Sequence, residues 1–449
     1  MFSMSTLSST HCFYRTPEVI ADLVSQYLGY DGGALLDPAV GDGSLVKPLA
    51  KLRIKRGTIW GIDVNESHIL ALSEEKLTWN TLLDYRFIAA DFLDWKPESV
   101  TLQSEGGFFD RIVLNPPFRH RRGMLRKVGL PGAGVDQRYW VSIEAAFLLR
   151  AIELLKDNGR LVAVLPVSLI AGETYSWFRD YLLSAGRVRV VHEMPENCFK
   201  DIEGRVYVLC FDKGRDGGIV RLRDEFSEEC KQLIIPADRE VGVRFDFGYV
   251  RGTREFNKIK MSSKVEWVRL GELASVHRGK LASPGGKVSG MHSSDRHAGF
   301  WWGKPHHSVK SEVGESEIRA GDFLIQRVGR SCASTFGAVI DGIGVSCTDC
   351  VIIVRPGIEV EKTELLLAIR TILGLAEIRM LIEKGMGAKY LTGSGLKGLE
   401  IPLCAERRRP FPFELYAQAV LDKSFEKMLA LEREYRLRLK SGARWQIAY

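Results

Sequence analysis

The sequence predicts an α/β fold in which helices cover both faces of a mostly parallel sheet. Between residues 14 and 213, short apolar segments alternate with segments of helical periodicity, an alternation typical of parallel sheets. The strand-like segments are ALLDPA, GTIWGIDV, YRFIAADF, DRIVLNPP, GRLVAVLP, RVRVVHEM and RVYVLCFD. The last two are too close in sequence for a helical crossover, so we expect the final strand to run antiparallel.

The first predicted element is a helix within residues 14–30, which read YRTPEVIADLVSQYLGY. Thr16 is expected to cap this helix, because its hydroxyl can accept a hydrogen bond from a free backbone amide at the helix start. Pro17 suits the first helical position, where no amide donor is needed. Helical spacing predicts one apolar face, formed by Val19, Ile20, Leu23, Val24 and Leu28.

Changes in pattern along the chain predict three regions. Residues 1–213 hold the alternating strands and helices, and residues 214–263 are expected to form an irregular connector because the pattern weakens there. Residues 264–449 combine short strands with Gly-rich turns and helical patterns, which predicts a mixed α+β domain. Within it, EKTELLLAIRTILGLAEIRMLIEK and PFELYAQAVLDKSFEKMLALEREYRLRLK are each expected to be one helix.

The charge of the chain is distributed unevenly. With 449 residues, 45% hydrophobic and 27% charged, the composition is that of an ordinary globular protein. Residues 1–216 hold 26 Lys and Arg against 27 Asp and Glu, or −1, whereas the remainder holds 37 against 29, or +8. A solvated basic surface is the simpler interpretation, but the asymmetry favours an anionic partner for the C-terminal part.

Composition also argues against membrane and disulfide-rich classes. The first residues, MFSMSTLSSTHCFYR, lack the pattern of a secretory leader, and no apolar run approaches the roughly 18 residues that span a membrane. We therefore expect a cytoplasmic protein with no membrane contact. Eight scattered cysteines make no disulfide framework.

One cysteine pair has the spacing of metal ligands. Cys347 and Cys350 lie in SCTDC, and only Cys332 is near them in sequence, whereas a structural zinc site needs about four ligands. We expect these cysteines to be buried, reduced thiols on a strand and predict no metal, with zinc binding as the alternative.

Polar residues and glycines follow the first two predicted strands. In an open α/β sheet, ligands bind at the carboxyl ends of the strands, so residues at those ends are considered together. Asp37 ends the first strand, and Gly41 and Gly43 let the backbone turn sharply and approach a ligand. Asp63 ends the second strand, where a carboxylate can accept hydrogen bonds from both hydroxyls of a ribose.

The third strand ends in ADF, which places Asp91 to accept from an exocyclic amine and Phe92 to flank a purine ring. Each of these acids taken alone reads as a solvated loop residue. Three successive strand ends that offer a turn, a ribose acceptor and an adenine acceptor together predict a nucleoside-binding site.

The fourth strand ends in Asn115-Pro116-Pro117-Phe118, and the two prolines prevent it from continuing. An amino group on an aromatic ring is a poor nucleophile, because its lone pair is delocalised into the ring. The side-chain oxygen of Asn115 and the carbonyl of Pro116 could accept its two hydrogens and draw the nitrogen toward tetrahedral geometry. Phe118 would then stack on the ring being modified. A simple Pro-Pro turn accounts for neither Asn115 nor Phe118.

These motifs together resemble a known family. The order FYRTPEVI, DPAVGDGSL, GIDV, ADFLDW, NPPF and GRLVAVLP, over about residues 13–213, resembles the S-adenosylmethionine-dependent amino-methyltransferases, and within them the gamma-class DNA adenine-N6 methyltransferases. The resemblance implies S-adenosylmethionine as cofactor and a seven-stranded, mostly parallel methyltransferase sheet with an antiparallel last strand. Because similar tetrapeptides occur in enzymes that methylate RNA bases or protein glutamine amides, NPPF names an amine type and not a polymer.

The resemblance also implies roles for individual residues. Near the methionine part of the cofactor it implies Tyr14, Thr16 and Pro17. For the rest of the cofactor it implies Asp37, Pro38, Ala39, Gly41, Asp63, Asp91 and Phe92. As the catalytic motif it implies Asn115, Pro116, Pro117 and Phe118. The second aromatic ring of the family, which sandwiches a flipped base, corresponds to Phe199 in PENCFKDIEG, and Asp42 receives no role.

Recognition of the polymer is expected from the C-terminal region. Residues 264–449 resemble the target-recognition domains of DNA methyltransferases and of type I restriction specificity subunits, in EWVRLGELASVHRG, GDFLIQRVG and KYLTGSGLKGLEIPL. The region makes up most of residues 217–449, which carry the +8 excess of charge that favours phosphate contacts. A basic loop without acids directly follows the NPPF motif and is expected either to contact DNA or to be merely solvated; it contains Arg119, Arg121, Arg122, Arg126 and Lys127.

We therefore predict a site-specific DNA adenine-N6 methyltransferase of a restriction-modification or phage-defence system, with double-stranded DNA as partner. The sequence shows no nuclease constellation, so cleavage would need a separate restriction endonuclease. The alternatives are an RNA or protein-amide methyltransferase, a non-catalytic DNA-specificity component, and cytosine-N4 methylation, which the resemblance alone disfavours.

Overall fold

The structure is a computed structural model, and the description below concerns the residues that it describes. These are 15–52, 54, 56–97, 107–118, 125–129, 138–195, 198–199, 205–215, 217–225, 231–237, 244–263, 265–279, 291–293, 317–329, 332–339, 345–384, 389–403 and 413–441. The chain divides into two compact units, Met1–Phe247 and Gly248–Tyr449.

The first unit alternates strands and helices. Its strands are β1 (Gly33–Asp37), β2 (Gly57–Asp63), β3 (Leu83–Ala89), β4 (Phe109–Leu114), β5 (Arg126–Gly129), β6 (Arg138–Val141), β7 (Leu155–Pro166), β8 (Gly186–Glu193), β9 (Val206–Lys213), β10 (Ile219–Asp224) and β11 (Lys231–Pro236). Its helices are α1 (Glu18–Leu28), α2 (Lys47–Ala50), α3 (Glu66–Glu75), α4 (Ile143–Leu154), α5 (Val167–Ala171) and α6 (Ser176–Ala185).

Nine of these strands form one sheet in the order β11-β10-β8-β9-β7-β4-β1-β2-β3. Only β9 and β11 run against the other strands of this sheet. The large, mostly parallel sheet and the antiparallel β9 confirm the predicted α/β class. The remaining two strands, β5 and β6, pair with each other as a separate antiparallel hairpin.

The sheet has two more strands than the seven predicted. Strands β10 and β11 come from residues 219–236, which the sequence pattern had indicated as an irregular connector. Val220 and Leu222 are fully buried while Arg221 and Arg223 are partly exposed, so only one face of β10 is apolar. Because β10 buries one face only and the edge strand β11 buries little, their apolar signal is weak. The units accordingly divide after residue 247, and not at 213 and 263.

Helix α1 confirms the helix predicted within residues 14–30 but begins differently. It starts at Glu18 after Pro17, and Gly29, with φ 56°, ends it in the left-handed conformation. No side chain caps its N-terminus, so the predicted capping role of Thr16 is wrong. Three of the predicted apolar positions are buried, namely Ile20, Val24 and Leu28, whereas Val19 is 74% exposed.

The parallel pairing brings several strand ends to one edge of the sheet, which we call the carboxyl edge. β1 pairs with both β2 and β4, and β2 pairs with β3. In this register Asp37 lies opposite Gly61, and Asp63 lies opposite Ala89. The segments that follow β1 to β4 therefore emerge beside one another, as the sequence predicted.

The second unit is a mixed α+β structure. Its strands are β12 (Glu266–Arg269), β13 (Ala274–Arg278), β14 (Phe323–Gln326), β15 (Gly337–Ala338), β16 (Val351–Pro356) and β17 (Glu400–Leu403). Its helices are α7 (Phe247–Ser262), α8 (Leu270–Leu273), α9 (Lys362–Leu373), α10 (Ala376–Ile382), α11 (Gly393–Lys397), α12 (Phe413–Leu421) and α13 (Phe425–Ser441). The strands form a sheet in the order β13-β16-β14-β15 and an antiparallel pair, β12-β17.

Two predicted long helices of this unit are each broken. Gly374 separates α9 from α10, and Lys423, with φ 54°, lies in the turn between α12 and α13. Apolar spacing continues through both breaks, so periodicity alone does not reveal them. The breaks let α9, α12 and α13 share one core, in which Arg370 and Tyr416 both hydrogen bond to the buried carboxylate of Glu432.

Candidate active site

The turn after β1 is built around Asp37 and two glycines. The Asp37 carboxylate accepts a hydrogen bond from the Ala39 amide at 3.1 Å, across the buried Pro38. Gly41 and Gly43 have φ values of 53° and 79°, in the left-handed region that glycine adopts readily. A Cβ on Gly43 would also lie 2.7 Å from Leu72. The predicted tight turn is therefore present, and it needs glycine for both conformation and space.

Asp63, directly at the end of β2, ties two loops of the carboxyl edge together. One carboxylate oxygen accepts from the Gly41 amide at 2.9 Å, and the other accepts from the Asn65 amide at 2.7 Å. Asn65 in turn accepts from the Ser67 amide and caps α3. These bonds fix the Asp63 side chain at the carboxyl edge, and each carboxylate oxygen retains a further acceptor direction.

Asp37 is fully buried, and its environment perturbs its ionisation. Burial raises the pKa of the Asp37 carboxyl to about 7, although the hydrogen bond from Ala39 opposes this rise. The nearby carboxylates of Asp63 and Asp42 raise the pKa further by repulsion. The end of β1 thus holds an acid that gains or loses its proton near neutrality, which makes it sensitive to a nearby cation.

The two residues after β3 that were expected to contact a purine, Asp91 and Phe92, differ in exposure. Asp91 is exposed and accepts from the Leu93 amide at 3.0 Å, so its carboxylate is available at the surface. Phe92 is 1% exposed, and its ring packs against Phe147 of α4 with centroids 5.2 Å apart. The sequence gives no sign of this contact with Phe147, because almost every residue of α4 is buried and the pattern does not distinguish one apolar residue from another.

Asn115, directly after β4, meets the segment that precedes α1. Its side-chain nitrogen Nδ2 donates to the hydroxyl Oγ1 of Thr16 at 2.8 Å, although the two residues are 99 positions apart. Thr16 is 6% exposed. The structure therefore brings together two predicted site residues, with the nitrogen end of the Asn115 amide facing the threonine hydroxyl.

The two predicted base-stacking rings, Phe118 and Phe199, belong to one hydrophobic cluster. Phe118 is 5% exposed and Phe199 is 3% exposed, so both rings are packed inside the protein. Phe199 also lines a cavity of about 590 Å³ together with Thr16 and Pro17.

Asp42, to which the sequence analysis gave no role, connects two parts of the site. One of its oxygens accepts from the amide and the hydroxyl of Ser44, and the other lies 3.1 Å from the Arg15 guanidinium. The acid thus links the glycine turn to the segment before α1. An aspartate in a turn has many possible partners, so its sequence context does not predict this one.

The structure describes only some of the remaining predicted residues. Pro116 is buried and Pro117 is partly buried, both beside Asn115 at the end of β4. Tyr14, Arg119, Arg121 and Arg122 lie outside the described residues. Arg126 and Lys127, the last basic residues of the predicted loop, form the start of β5.

The cysteines of the second unit lie around β14 and β16. Cys332 and Cys347 are fully buried and Cys350 is partly buried, and all are free thiols. Burial raises the pKa of the Cys347 thiol to about 12. Among the described residues, no group of three or more His, Cys, Asp and Glu side chains could hold a metal ion. In that same part of the chain, no helix is both long enough and apolar enough to cross a bilayer.

A mostly parallel sheet, with a glycine turn after β1 and acids at the end of β2 and after β3, defines an α/β protein whose carboxyl edge has the layout typical of nucleoside-binding folds. The chain belongs to the N-6 DNA Methylase family, whose family model matches residues 2–232, just over half of its 449 residues.

Curated relatives match part of the chain. The type II methyltransferase M.BsuBI of Bacillus subtilis is 28% identical over 193 residues, which cover 38% of this chain and 36% of the relative. The type II methyltransferase M.TthHB8I of Thermus thermophilus is 26% identical over 200 residues, which cover 41% of each protein. The chain thus spans well under half the length of these relatives.

Solved structures are also similar to this chain. The type IIG restriction endonuclease BpuSI has a TM-score of 0.46 and 14% identity, with 94% of this chain and 64% of that chain covered. The type I restriction-modification system methyltransferase subunit from Streptococcus thermophilus has a TM-score of 0.39 and 22% identity, with 56% of this chain and 54% of that chain covered.

The ionisation of Asp37 makes a prediction about stability. Because its pKa in the folded protein is raised, protonated Asp37 stabilises the folded state at low pH, and this contribution is lost as pH rises through about 7. Asp37→Asn should remove this loss, so the variant should be the more stable protein at about pH 8, by up to about 4 kcal/mol. Urea unfolding of the cofactor-free protein over a range of pH measures the difference.

The exposed Asp84 provides the control. Asp84→Asn removes the same charge from the surface and should give no such gain in unfolding free energy at pH 8. If Asp37→Asn leaves the pH dependence of the unfolding free energy unchanged, the Asp37 carboxyl does not retain its proton near neutrality, and this description of the site is wrong.

Proposed function

We propose that this protein is a site-specific DNA methyltransferase that transfers a methyl group from S-adenosylmethionine to the N6 amino group of an adenine extruded from duplex DNA. The observation that carries the proposal is the hydrogen bond between Asn115 and Thr16. It joins the strand end that would hold the amine to the segment that would lie near the methyl donor. Family membership supports the same reaction.

The residues at the carboxyl edge fit S-adenosylmethionine. Gly41 and Gly43 have no side chain that would keep a ligand from the turn after β1, and Asp63 offers acceptor directions to the ribose hydroxyls. The Asp37 carboxyl can lose its proton in favour of a cation, and the ligand carries positive charge on its sulfonium and α-amine. Asp91 would accept from the adenine amine. When bound, the cofactor supplies an electrophilic methyl group.

The chemistry required of the protein is positioning. With Nδ2 of Asn115 engaged by Thr16, its Oδ1 is the end of the amide that can accept from the target amine. The carbonyl of Pro116 would accept the second hydrogen, and the fixed φ of Pro116 and Pro117 keeps both acceptors in place. Two acceptors on one amine draw its lone pair out of the ring and toward the methyl group. No covalent enzyme intermediate is needed.

The extruded base would lie between Phe118 and Phe199. Both rings are buried in one cluster, so we expect base entry to need a local rearrangement that exposes their faces for stacking. The cavity of about 590 Å³ that Phe199 lines gives space for such a rearrangement.

We assign target recognition to the region after residue 263, whose described part belongs to the second, mixed α+β unit, Gly248–Tyr449. Its excess of basic residues favours phosphate contacts with double-stranded DNA. The type II methyltransferase relatives support a role in restriction-modification. Cleavage in such a system would require a separate restriction endonuclease.

Direct sequencing of modified bases in DNA from cells that express the protein tests the function. We expect N6-methyladenine at one defined sequence, and no modified base with Asn115→Ala, because the substitution removes an acceptor for the amine. Asn80→Ala is the matched control, since the Asn80 amide donates to the Leu52 and Ile54 carbonyls before β3, away from the carboxyl edge. Modified cytosine, methylated RNA alone, or full methylation by Asn115→Ala would each refute the proposal.

The bond between Thr16 and Asn115 makes a second prediction. Thr16→Val keeps the shape of the side chain but removes the acceptor, so the Asn115 amide should lose its fixed orientation. We expect kcat to fall about tenfold or more, the effect of one hydrogen bond, with little change in cofactor affinity. Steady-state methylation and calorimetry with S-adenosylmethionine measure the two quantities.

Thr16→Ser is the control, because it keeps the hydroxyl and should restore most of kcat. A contrary result is weaker cofactor binding at unchanged kcat in Thr16→Val. In that case Thr16 would act on the cofactor and not on the amide of Asn115.

A further inference from the structure

We propose that the hairpin formed by β5 and β6, here called the ribbon, is a DNA-binding surface whose outer face contacts the phosphates of duplex DNA beside the target base. The inference rests on the proposed function and extends it to an element for which the sequence analysis foresaw only a basic loop. Three features of the ribbon carry it: the division of its two faces, its anchoring, and its position along the carboxyl edge.

The register of the ribbon separates its side chains into two faces. Lys127 pairs with Trp140, and Gly129 pairs with Arg138, so Lys127, Arg138 and Trp140 share one face, called the outer face. On the other side, called the inner face, lie Arg126, Val128, Tyr139 and Val141, because neighbouring residues of a strand point in opposite directions. The outer face therefore joins two cations to a tryptophan, whereas the inner face carries one cation, Arg126, at its end and is otherwise apolar or aromatic.

The inner face anchors the ribbon to the first unit. Val141 is fully buried, and the Tyr139 ring stacks on Trp177 at the start of α6, with centroids 4.8 Å apart and an angle of 17° between the rings. Directly after β6, the Ser142 amide donates to the Tyr175 hydroxyl at 2.8 Å. The described strands are thus held in one orientation, and the outer face is presented on a fixed support.

The outer face has the composition of a nucleic-acid contact. Lys127 and Arg138 are exposed, and Trp140 between them is 65% exposed. The described residues 125–129 and 138–141 contain no acid. Cations bind phosphates, while an exposed indole can pack against a sugar or an unstacked base, a combination that recurs in proteins that bind opened nucleic-acid strands. On a merely solvated ribbon, the exposed Trp140 ring would have no sugar or base to pack against.

The ribbon lies where a contact beside the target base is needed. β5 begins at Arg126, only a short segment after the Asn115–Phe118 motif at the end of β4. Residues Arg126 to Gly129 line a cavity of about 500 Å³ together with Asp91, the predicted acceptor for the cofactor adenine. The ribbon therefore borders the carboxyl edge, and DNA with a base in the site would pass close to it.

The test compares how the DNA affinity of the full-length protein depends on salt. Binding of a fluorescein-labelled, random-sequence duplex is followed by anisotropy at several salt concentrations. Each lost phosphate contact lowers the slope of log affinity against log salt by about 0.9, so Lys127→Gln with Arg138→Gln should lower it by about 1.8. The control pair, Arg56→Gln with Arg215→Gln, removes the same charge next to β2 and β9 at the opposite edge of the sheet and should leave the slope unchanged.

Trp140 is tested separately. Trp140→Ala should weaken binding of the same duplex about tenfold at fixed salt if the indole packs on the DNA, and it should leave the slope unchanged because no charge is lost. Near-ultraviolet circular dichroism and thermal unfolding check that the ribbon remains folded. A Tyr139→Phe variant, which keeps the stack on Trp177, should bind as the unsubstituted protein does.

The possible outcomes distinguish a failure of the ribbon inference from a failure of the proposed function. If the protein methylates DNA but the ribbon pair behaves like the control pair, the ribbon is a solvated surface or a contact with another protein, and the inference is overturned while the function stands. If the unsubstituted protein neither binds nor methylates duplex DNA, the proposed function itself fails. A slope lowered only by the ribbon pair supports the inference.

Discussion

The hydrogen bond from Asn115 to Thr16 is the contact on which the proposed chemistry depends. A side-chain amide has a donor end and an acceptor end, and a methyl transfer to an amine needs the acceptor end. The buried Thr16 hydroxyl accepts from Nδ2, and in our proposal this pairing keeps Oδ1 for the substrate amine. The parallel pairing of β1, β2 and β4 makes this possible, because it brings the end of β4 beside the turn that follows β1.

The surrounding polar contacts serve the same arrangement. Asp63 holds the loops after β1 and β2, and Asp42 holds the glycine turn to Arg15, the neighbour of Thr16. The fully buried Asp37 near them shares this acidic environment, which raises its pKa to about 7. Asp37, Asp42 and Asp63 therefore lie close enough to repel one another, and a cationic cofactor would relieve this repulsion. In our proposal, cofactor binding and the electrostatics of the turn are coupled.

Much of this arrangement could be predicted from sequence, and the failures have physical causes. Alternating strands and helices predict the sheet, and strand ends predict the positions of Asp37, Asp63 and Asn115. Thr16 was expected to cap α1, because local rules cannot foresee a partner 99 residues away. Strand β10 was missed because it buries one face only. Phe147 was missed because its contact with Phe92 depends on tertiary packing, and the breaks after α9 and α12 interrupt helices whose apolar spacing continues.

The single-turnover rate of methyl transfer by Asn115→Asp, compared with that of Asn115→Ala, tests the central claim most directly. An aspartate keeps an acceptor oxygen for the amine, and the Thr16 hydroxyl can donate to its second oxygen. If Asn115 serves as an acceptor oriented by Thr16, the Asp variant should retain substantial transfer while the Ala variant shows none. Equal inactivity of two folded variants that both bind cofactor would contradict the account, because the essential group would then be the amide donor.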